Sequence, residues 1–224
     1  AAAAIDDERC AANAAAGEIV YLSGYNHAAS ASMIDVMVAS ANGYYAELCL
    51  DVVYEPSFSS QNYPLVASGQ AQFASAGSFS EMLSYAAATE ADLVAVLVKG
   101  NFPIDAVLVK DLERIEPADL AGAVIGIKGR IPASVAVMLA NVGLTEHEDY
   151  ETVLLDGFDP LAHHAIDDID GFTGHFSNEP GVLAANGIEV NVIRPADHDV
   201  PGSHGVTYAS REFIEAHPTA AEDF

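Results

Sequence analysis

The sequence predicts an α/β protein with two lobes, each built on a doubly wound sheet. Short apolar runs alternate with segments of helical periodicity, and the loops between them are short and rich in glycine, serine and asparagine. Two runs, 93–98 and 104–109, are almost continuously apolar, which is typical of strands covered on both faces. Repeated strand–helix units of this kind favour parallel sheets covered by helices.

Residues 17–108 carry the first series of elements. Ser32 and Asp35 have capping-box spacing and begin a predicted helix, which the later Asn-Gly pair ends. Ser78 and Glu81 repeat that spacing and begin another. The apolar runs predict strands at 18–23, 50–54, 72–76, 93–98 and 104–109, with a short helix at 63–69.

Residues 120–193 carry the second series. Pro132 precedes a helix predicted at 133–141, and Pro180 suits the first turn of another helix, where a missing N–H costs nothing. Further strands are predicted at 124–127, 151–155, 169–173 and 189–193, and short helices are predicted around 117–120 and after residue 160.

The chain is expected to pass from one lobe to the other and back. A loop rich in glycine and proline covers 194–202, and the strand at 206–209, followed by a helix from 211, is expected to return to the first sheet. We therefore predict lobe 1 as residues 1–108 with 196–224 and lobe 2 as residues 109–195. Ligands of such proteins bind in clefts between domains.

The charge of the chain is strongly negative. It has 33 aspartates and glutamates against 8 lysines and arginines, a formal net charge of −25. This composition excludes nucleic acid as a partner and disfavours anionic membranes, because binding phosphates needs clustered cations. A solubilising shell and adaptation to high salt both explain it.

Cys10 and Cys49 are the only cysteines. Two cysteines are too few for a structural zinc site. They precede the first and second predicted strands, which neighbouring positions in a parallel sheet would bring together. We predict a disulfide between them, with two buried thiols as the alternative.

A polar loop follows the buried strand that ends at Gly174, the place where open α/β sheets bind ligands. The strand end and this loop carry the candidate ligand contacts Thr173, His175, Asn178 and Glu179. The carboxylate of Glu179 can accept from an exocyclic amine or ring N–H, and the amide of Asn178 can donate and accept. Both residues also suit a structural role at the start of the next helix.

Two further strand ends carry candidate ligand contacts. Tyr25, Asn26 and His27 follow the first strand, where the tyrosine offers a flat face for stacking and the histidine a hydrogen bond. Ser78 and Phe79 begin a helix whose N–H groups can bind an acceptor, although capping explains Ser78 almost as well.

Loop aromatics supply the remaining candidates. Phe102 and Phe158, with Phe176, are predicted to form pocket walls, although ordinary packing is the alternative. Arg130 is assigned to a surface ion pair. The acidic and histidine residues between 163 and 170 are not predicted to bind a metal, and no residue is predicted to be catalytic.

A series of short segments in a fixed order resembles the NMT1/THI5-like and SsuA-like solute-binding proteins of ABC importers. The segments are Tyr-Leu-Ser-Gly-Tyr-Asn at 21–26, Asn-Gly-Tyr-Tyr-Ala-Glu at 42–47, Leu-Asp-Val at 50–52, Val-Ala-Ser-Gly-Gln-Ala at 66–71, Pro-Ala-Asp-Leu-Ala-Gly at 117–122 and Asn-Glu-Pro at 178–180. Cys49 stands where the family's pattern has glycine. Family members also run longer, so we expect the last helices to be missing after Phe224.

The resemblance implies a two-lobed fold of the type II periplasmic-binding-protein kind, with a ligand cleft between the lobes. It implies a non-catalytic, exported protein, periplasmic or anchored at the cell surface, that works as a monomer with an importer permease. The implied ligand is a heterocycle such as a thiamine-precursor pyrimidine, with flavins and sulfonates as alternatives, and no cofactor is expected.

An enzyme related to the family's pyrimidine synthases is the other alternative. Those synthases carry a cysteine-rich iron motif and a lysine that binds pyridoxal phosphate. The chain has two cysteines and three lysines, and the cysteines do not form a cluster in the sequence.

Overall fold

The computed structural model describes residues 5–24 and 34–224. Contacts between Cα atoms divide the chain into two compact units, Ala1–Gly100 with Ser203–Phe224, and Asn101–Gly202. Each unit contains one five-stranded sheet covered by helices, so the predicted α/β class with two sheets is confirmed. Among the described residues, no helix is both long and apolar enough to cross a bilayer.

The elements are numbered along the whole chain. The strands are β1 (Glu18–Leu22), β2 (Asp51–Glu55), β3 (Phe73–Ala76), β4 (Leu93–Gly100), β5 (Asp105–Val109), β6 (Val124–Ile127), β7 (Glu151–Leu154), β8 (Gly171–His175), β9 (Asn191–Ile193) and β10 (His204–Ser210). The helices are α1 (Asp7–Ala14), α2 (Ile34–Asn42), α3 (Tyr44–Glu47), α4 (Ser59–Ala67), α5 (Phe79–Thr89), α6 (Ala133–Asn141), α7 (Pro160–His164), α8 (Glu179–Ala185), α9 (Arg211–Ala216) and α10 (Pro218–Asp223). Two 3₁₀ turns cover Pro117–Leu120 and Pro195–His198.

The sheet of the first unit has the strand order β2-β1-β3-β10-β4. Strands β1, β2 and β3 are parallel, whereas β10 is antiparallel to both of its neighbours. Successive residues of a strand point to opposite faces, so Tyr21 and Leu22 belong to different apolar clusters. The helix residues buried in these clusters are Val36, Tyr45 and Ala220 on one side, and Tyr63, Val66 and Met82 on the other.

The sheet of the second unit has the order β7-β6-β8-β5-β9. Val107 of β5 packs with α6 on one face, and its neighbour Leu108 packs with α8 on the other. Both residues are fully buried. Apolar side chains on both faces explain why residues 106–109 are all apolar.

The strand from 204 returns to the first sheet as predicted, but the crossings between the units differ from the predicted boundaries. The chain passes from one unit to the other after residues 100 and 202, whereas the sequence predicts crossings after residues 108 and 195. The first difference is β5, which pairs with β8 and β9 of the second sheet. The second is the segment up to residue 202, in which Val200 joins the core of the second unit. An apolar run shows that a strand forms, but not which sheet it joins.

The amino-terminal helix α1 was not predicted and is tied to the carboxyl-terminal helix α10. Arg9 donates from Nε and Nη2 to the two oxygens of Asp223, each at 2.7 Å, and Asn13 donates to the same carboxylate at 2.7 Å. Cys10 of α1 forms a disulfide with Cys49, the residue two positions before β2. Helices α1 and α10 therefore belong to the same unit and pack against each other.

Reduction of the disulfide is expected to destabilise the first unit. The bond joins residues 39 positions apart, and closing a loop of that length stabilises the fold by about 4 kcal/mol on the chain-entropy model. Denaturant unfolding with and without a reductant measures the difference, with the Cys10→Ala/Cys49→Ala variant as a second route to it. Equal unfolding midpoints would contradict the expectation.

Gly171 is expected to resist substitution because of its place between β8 and β5. A Cβ atom there would lie 2.6 Å from the carbonyl oxygen of Leu108 and 3.2 Å from Cα of Val109, which are backbone atoms. We expect Gly171→Ala to lower the free energy of unfolding by about 1–3 kcal/mol. Gly181→Ala is the control, since nothing lies within 4 Å of its Cβ position in α8. It should raise the same free energy by up to about 1 kcal/mol. A Gly171→Ala protein as stable as the control variant would refute this account.

Candidate functional site

The candidate site lies at one edge of the second sheet. Strands β6, β7 and β8 run parallel, and β9 shares their direction because it is antiparallel to β5. The carboxyl ends of these four strands therefore meet the amino end of β5 at the same edge, the place where open α/β sheets bind ligands. The residues at this edge, named here the edge cluster, are Phe102, Asp105, Lys128, Ser134, Phe158, His175, Phe176, Glu179 and Arg194.

A buried ion pair is at the centre of the edge cluster. Nζ of Lys128, the residue after β6, donates to Oε1 of Glu179 at 2.9 Å. The backbone N–H of His175 donates to Oε2 at 2.9 Å. Side-chain exposure is 5% for Glu179 and 19% for Lys128. Gly174 leaves room for the carboxylate, since a Cβ there would lie 3.0 Å from Cδ of Glu179.

The ion pair keeps Glu179 ionised despite its burial. Burial favours the neutral acid and raises the pKa of the Glu179 carboxyl, but the charge and hydrogen bond of Lys128 lower it. The His175 N–H adds to this lowering, and the net pKa of Glu179 lies below its ordinary value. The site therefore presents a carboxylate and an ammonium that neutralise each other.

A second polar group links β5 to its neighbours. Asp105 Oδ2 accepts from the hydroxyl of Ser134 at 2.6 Å, and Oδ1 lies 4.0 Å from Nε2 of His175. The aspartate stands between the other two residues. A Ser-His-Asp relay needs the histidine in that position to take the proton of the hydroxyl. This arrangement therefore fixes the edge of the sheet and does not activate a nucleophile.

Aromatic rings flank the ion pair. The ring of Phe158 is 5.5 Å from Nζ of Lys128, and Phe158 is 52% exposed. On the other side, Cζ of Arg194 lies 4.0 Å from the centre of the Phe176 ring, which is 6.4 Å from the ring of the 43% exposed Phe102. Large rings that stay exposed beside polar groups are typical of binding surfaces.

The predicted residues of the 171–180 segment occupy different environments. His175 and Glu179 lie in the edge cluster. Thr173 is buried within the sheet, where its hydroxyl donates to the carbonyl of Gly126 at 3.4 Å. Asn178 is exposed at the N-cap position of α8, but its side chain makes no capping hydrogen bond. The Asn178 amide is therefore exposed and makes no capping bond, whereas the Glu179 carboxylate is buried at the start of α8.

Two predicted contacts of the first unit, Ser78 and Phe79, lie just after the carboxyl end of β3. Ser78 caps α5, accepting from the N–H of Glu81 at 3.1 Å, and the N–H of Phe79 donates to Ser203 at 3.0 Å. Both N–H groups are therefore already engaged. Tyr25, Asn26 and His27 lie outside the described residues, and the ligand role of all five stays a prediction.

Two of the histidines and acids between 163 and 170, His163 and Asp170, have structural partners. His163 is buried, with Nε2 2.9 Å from the carbonyl oxygen of Asp156, and Asp170 accepts from the N–H of Val124 at 2.8 Å. Within the described residues, no group of three histidine, cysteine or acidic side chains is placed to hold a metal ion.

Four members of the edge cluster were not predicted as site residues: Asp105, Lys128, Ser134 and Arg194. Lys128 and Arg194 each follow a strand directly, and Asp105 begins one. Because the direction of each strand fixes which end reaches the site, reading the residue after every parallel strand would have found Lys128. Ser134 has no comparable signal, since it lies within the first turn of α6.

The chain matches a protein family and a curated relative. A family model described as "NMT1/THI5 like" matches residues 30–224. The riboflavin-binding protein RibY of Chloroflexus aurantiacus is 30% identical over 194 residues, which are 84% of this chain and 54% of that protein. The chain thus spans about half the length of the curated relative that it matches.

Solved structures share the fold. The sulphonate-binding protein SsuA of Escherichia coli matches with a TM-score of 0.69 at 19% identity, over 92% of this chain and 69% of its own. SsuA of Xanthomonas axonopodis, bound to MOPS, gives 0.67 at 16% identity over 92% and 69%. The amino acid transporter protein AbpA of Streptococcus pneumoniae, bound to L-arginine, gives 0.61 at 16% identity over 95% and 90%.

The ion pair predicts how stability depends on pH. At pH 7, Glu179→Gln should lower the free energy of unfolding by about 3 kcal/mol, the low end for breaking a buried pair, since Lys128 is 19% exposed. The folded pKa of Glu179 is lowered, so this contribution is complete above the unfolded pKa of about 4.3. It is lost as the pH falls through the folded pKa.

Unfolding curves between pH 7 and pH 3 measure the gap between the free energies of unfolding of wild type and Glu179→Gln. We expect it to narrow on acidification. The exposed Glu189 of the same unit supplies a matched control, because Glu189→Gln should change stability by less than about 0.5 kcal/mol. A gap that stays constant or widens towards pH 3 would rule out the ion pair as its source.

Proposed function

Since the chain belongs to the NMT1/THI5-like family, we propose that it is the solute-binding component of an ABC importer and binds a flat heterocycle at the edge cluster. The observation that carries the proposal is the exposure of Phe102 and Phe158, 43% and 52%. In the strand order β7-β6-β8-β5-β9, Phe158 follows β7 and Phe102 precedes β5, on either side of the strands β6 and β8 that carry the buried ion pair. Exposed rings stack on a flat ligand, and the polar groups fix its orientation.

A neutral heterocycle is favoured over an anion. The relative from Chloroflexus is named as a riboflavin-binding protein, and the family description includes THI5, which is consistent with a pyrimidine. Lys128 and Glu179 neutralise each other, so their pair offers hydrogen bonds without net charge. The chain's charge of −25 repels anions at long range. Riboflavin is therefore the first ligand to test, and a thiamine-precursor pyrimidine is the second.

A transport role is favoured over catalysis. The pyrimidine synthases implied by the resemblance need several thiolates for iron, whereas Cys10 and Cys49 are joined in a disulfide. The hydroxyl of Ser134 and the imidazole of His175 both face Asp105 and do not form a nucleophile–base pair. The disulfide also supports export, because such bonds persist in oxidising compartments.

Ligand binding is expected to raise the melting temperature. A ligand at 100 times its dissociation constant stabilises the folded state by about 2.7 kcal/mol, which corresponds to a shift of several degrees. The assay compares riboflavin, 4-amino-5-hydroxymethyl-2-methylpyrimidine and an alkanesulfonate.

Phe158→Ala should weaken binding about tenfold, since a stacked aromatic pair contributes about 0.5–1.5 kcal/mol. Leu112→Ala is the matched control, because Leu112 is a similarly exposed apolar residue that follows the opposite end of β5. Absence of a shift with all three ligands, or equal effects of the two variants, would overturn the proposed site.

A further inference from the structure

We infer that Lys128 is the side chain that recognises the ligand's polar edge, and that Glu179 is a positioning residue that holds it. The inference rests on the proposed function and deepens it. It reverses the roles predicted from the sequence, where Glu179 accepts from the ligand and Lys128 has no part. The reversal follows from burial, from the partners of each group and from the count of hydrogen-bond donors.

The Glu179 carboxylate is already engaged. Each of its oxygens accepts a hydrogen bond at 2.9 Å, one from Lys128 and one from the His175 N–H. Its side chain is 5% exposed and packs against Gly174. Each oxygen could accept a second hydrogen bond, but the low exposure of the side chain gives a ligand amine little access to it.

The Lys128 ammonium has donors to spare. An ammonium group carries three N–H donors, and within the described residues its one hydrogen bond goes to Glu179. The group is 19% exposed and lies 5.5 Å from the centre of the exposed Phe158 ring. A flat ligand that packs against Phe158 therefore brings its rim within reach of the two remaining donors.

This geometry selects a ligand with an oxygen acceptor at its rim. An ammonium donates and cannot accept, and a carbonyl oxygen offers two lone pairs to its two remaining donors whereas a ring nitrogen offers one. It therefore pairs best with a ring carbonyl and does not pair with an exocyclic amine. The pyrimidinedione end of a flavin, or a simple pyrimidinedione, has such carbonyls. Sulfonate oxygens are acceptors too, but Glu179 already balances the charge of Lys128, so the ion pair gives an anion no net attraction. The ligand class is therefore a neutral heterocycle with ring carbonyl groups.

The test compares variants that keep or remove the ammonium. Lys128→Met removes it but leaves Glu179 buried without a partner. The double variant Lys128→Met/Glu179→Leu removes both charges, a replacement that folds tolerate well. Lys110→Met is the control, since Lys110 follows the opposite end of β5 and donates to the carbonyl of Ile166. Dissociation constants are measured for riboflavin, for the aminopyrimidine 4-amino-5-hydroxymethyl-2-methylpyrimidine and for an alkanesulfonate.

The inference requires that wild type binds riboflavin, that the double variant binds it about 10- to 100-fold more weakly, and that Lys110→Met matches wild type. Glu179→Gln should fall between wild type and the double variant, because the ammonium is kept but less well held. Selectivity is the decisive measurement. Loss of the ammonium weakens binding of the carbonyl ligand by a larger factor than binding of the aminopyrimidine, whereas a structural defect weakens every ligand by the same factor.

Two results would overturn the inference and leave the proposed function standing: unchanged riboflavin binding by the double variant, and a wild type that prefers the aminopyrimidine and loses it in Glu179→Gln alone. Binding of the alkanesulfonate only, with loss in Lys128→Met, would overturn the neutral carbonyl class. A wild type that binds none of the three ligands would overturn the proposed function together with the inference.

Discussion

Both sheets of this protein are covered by helices on their two faces, and this constraint decides where chemistry can occur. A strand residue such as Val107 or Leu108 meets an apolar cluster whichever way it points. Charged side chains are left to the ends of the strands, where the backbone leaves the sheet. The edge cluster occupies such an end, and its members come from the loops and strand termini around one edge of the second sheet.

Strand direction gives the edge cluster its composition. The parallel strands β6 and β8 bring Lys128 and the start of α8, where Glu179 lies, to the same edge. The antiparallel β5 brings its amino end there, and with it Asp105, whose carboxylate links the hydroxyl of Ser134 to the imidazole of His175. A β5 of opposite direction would put Lys110 at this edge and Asp105 at the other. The reversed strand therefore determines the balance of charge at the site.

The ion pair connects this architecture to ligand chemistry. In a chain with a net charge of −25, a lysine near the surface has many acidic neighbours to pair with. Here Glu179 is held in place by the His175 N–H and by the space above Gly174, so the lysine is held as well. A preorganised donor binds a neutral acceptor without the entropy cost of ordering a long side chain. The neighbouring phenylalanines give it a flat apolar wall.

The sequence by itself determined the local elements and the class of fold. Apolar runs and capping spacings predicted β6 at its observed bounds and the other strands within a few residues of theirs, because periodicity and caps act over a few residues. The segment order also identified the family. Only the tertiary structure decided that β5 joins the second sheet, that Asp105 and Lys128 reach the site, and that Glu179 faces a lysine 51 positions earlier. These facts depend on strand order and direction, which arise from contacts between residues far apart in the chain and leave no local pattern.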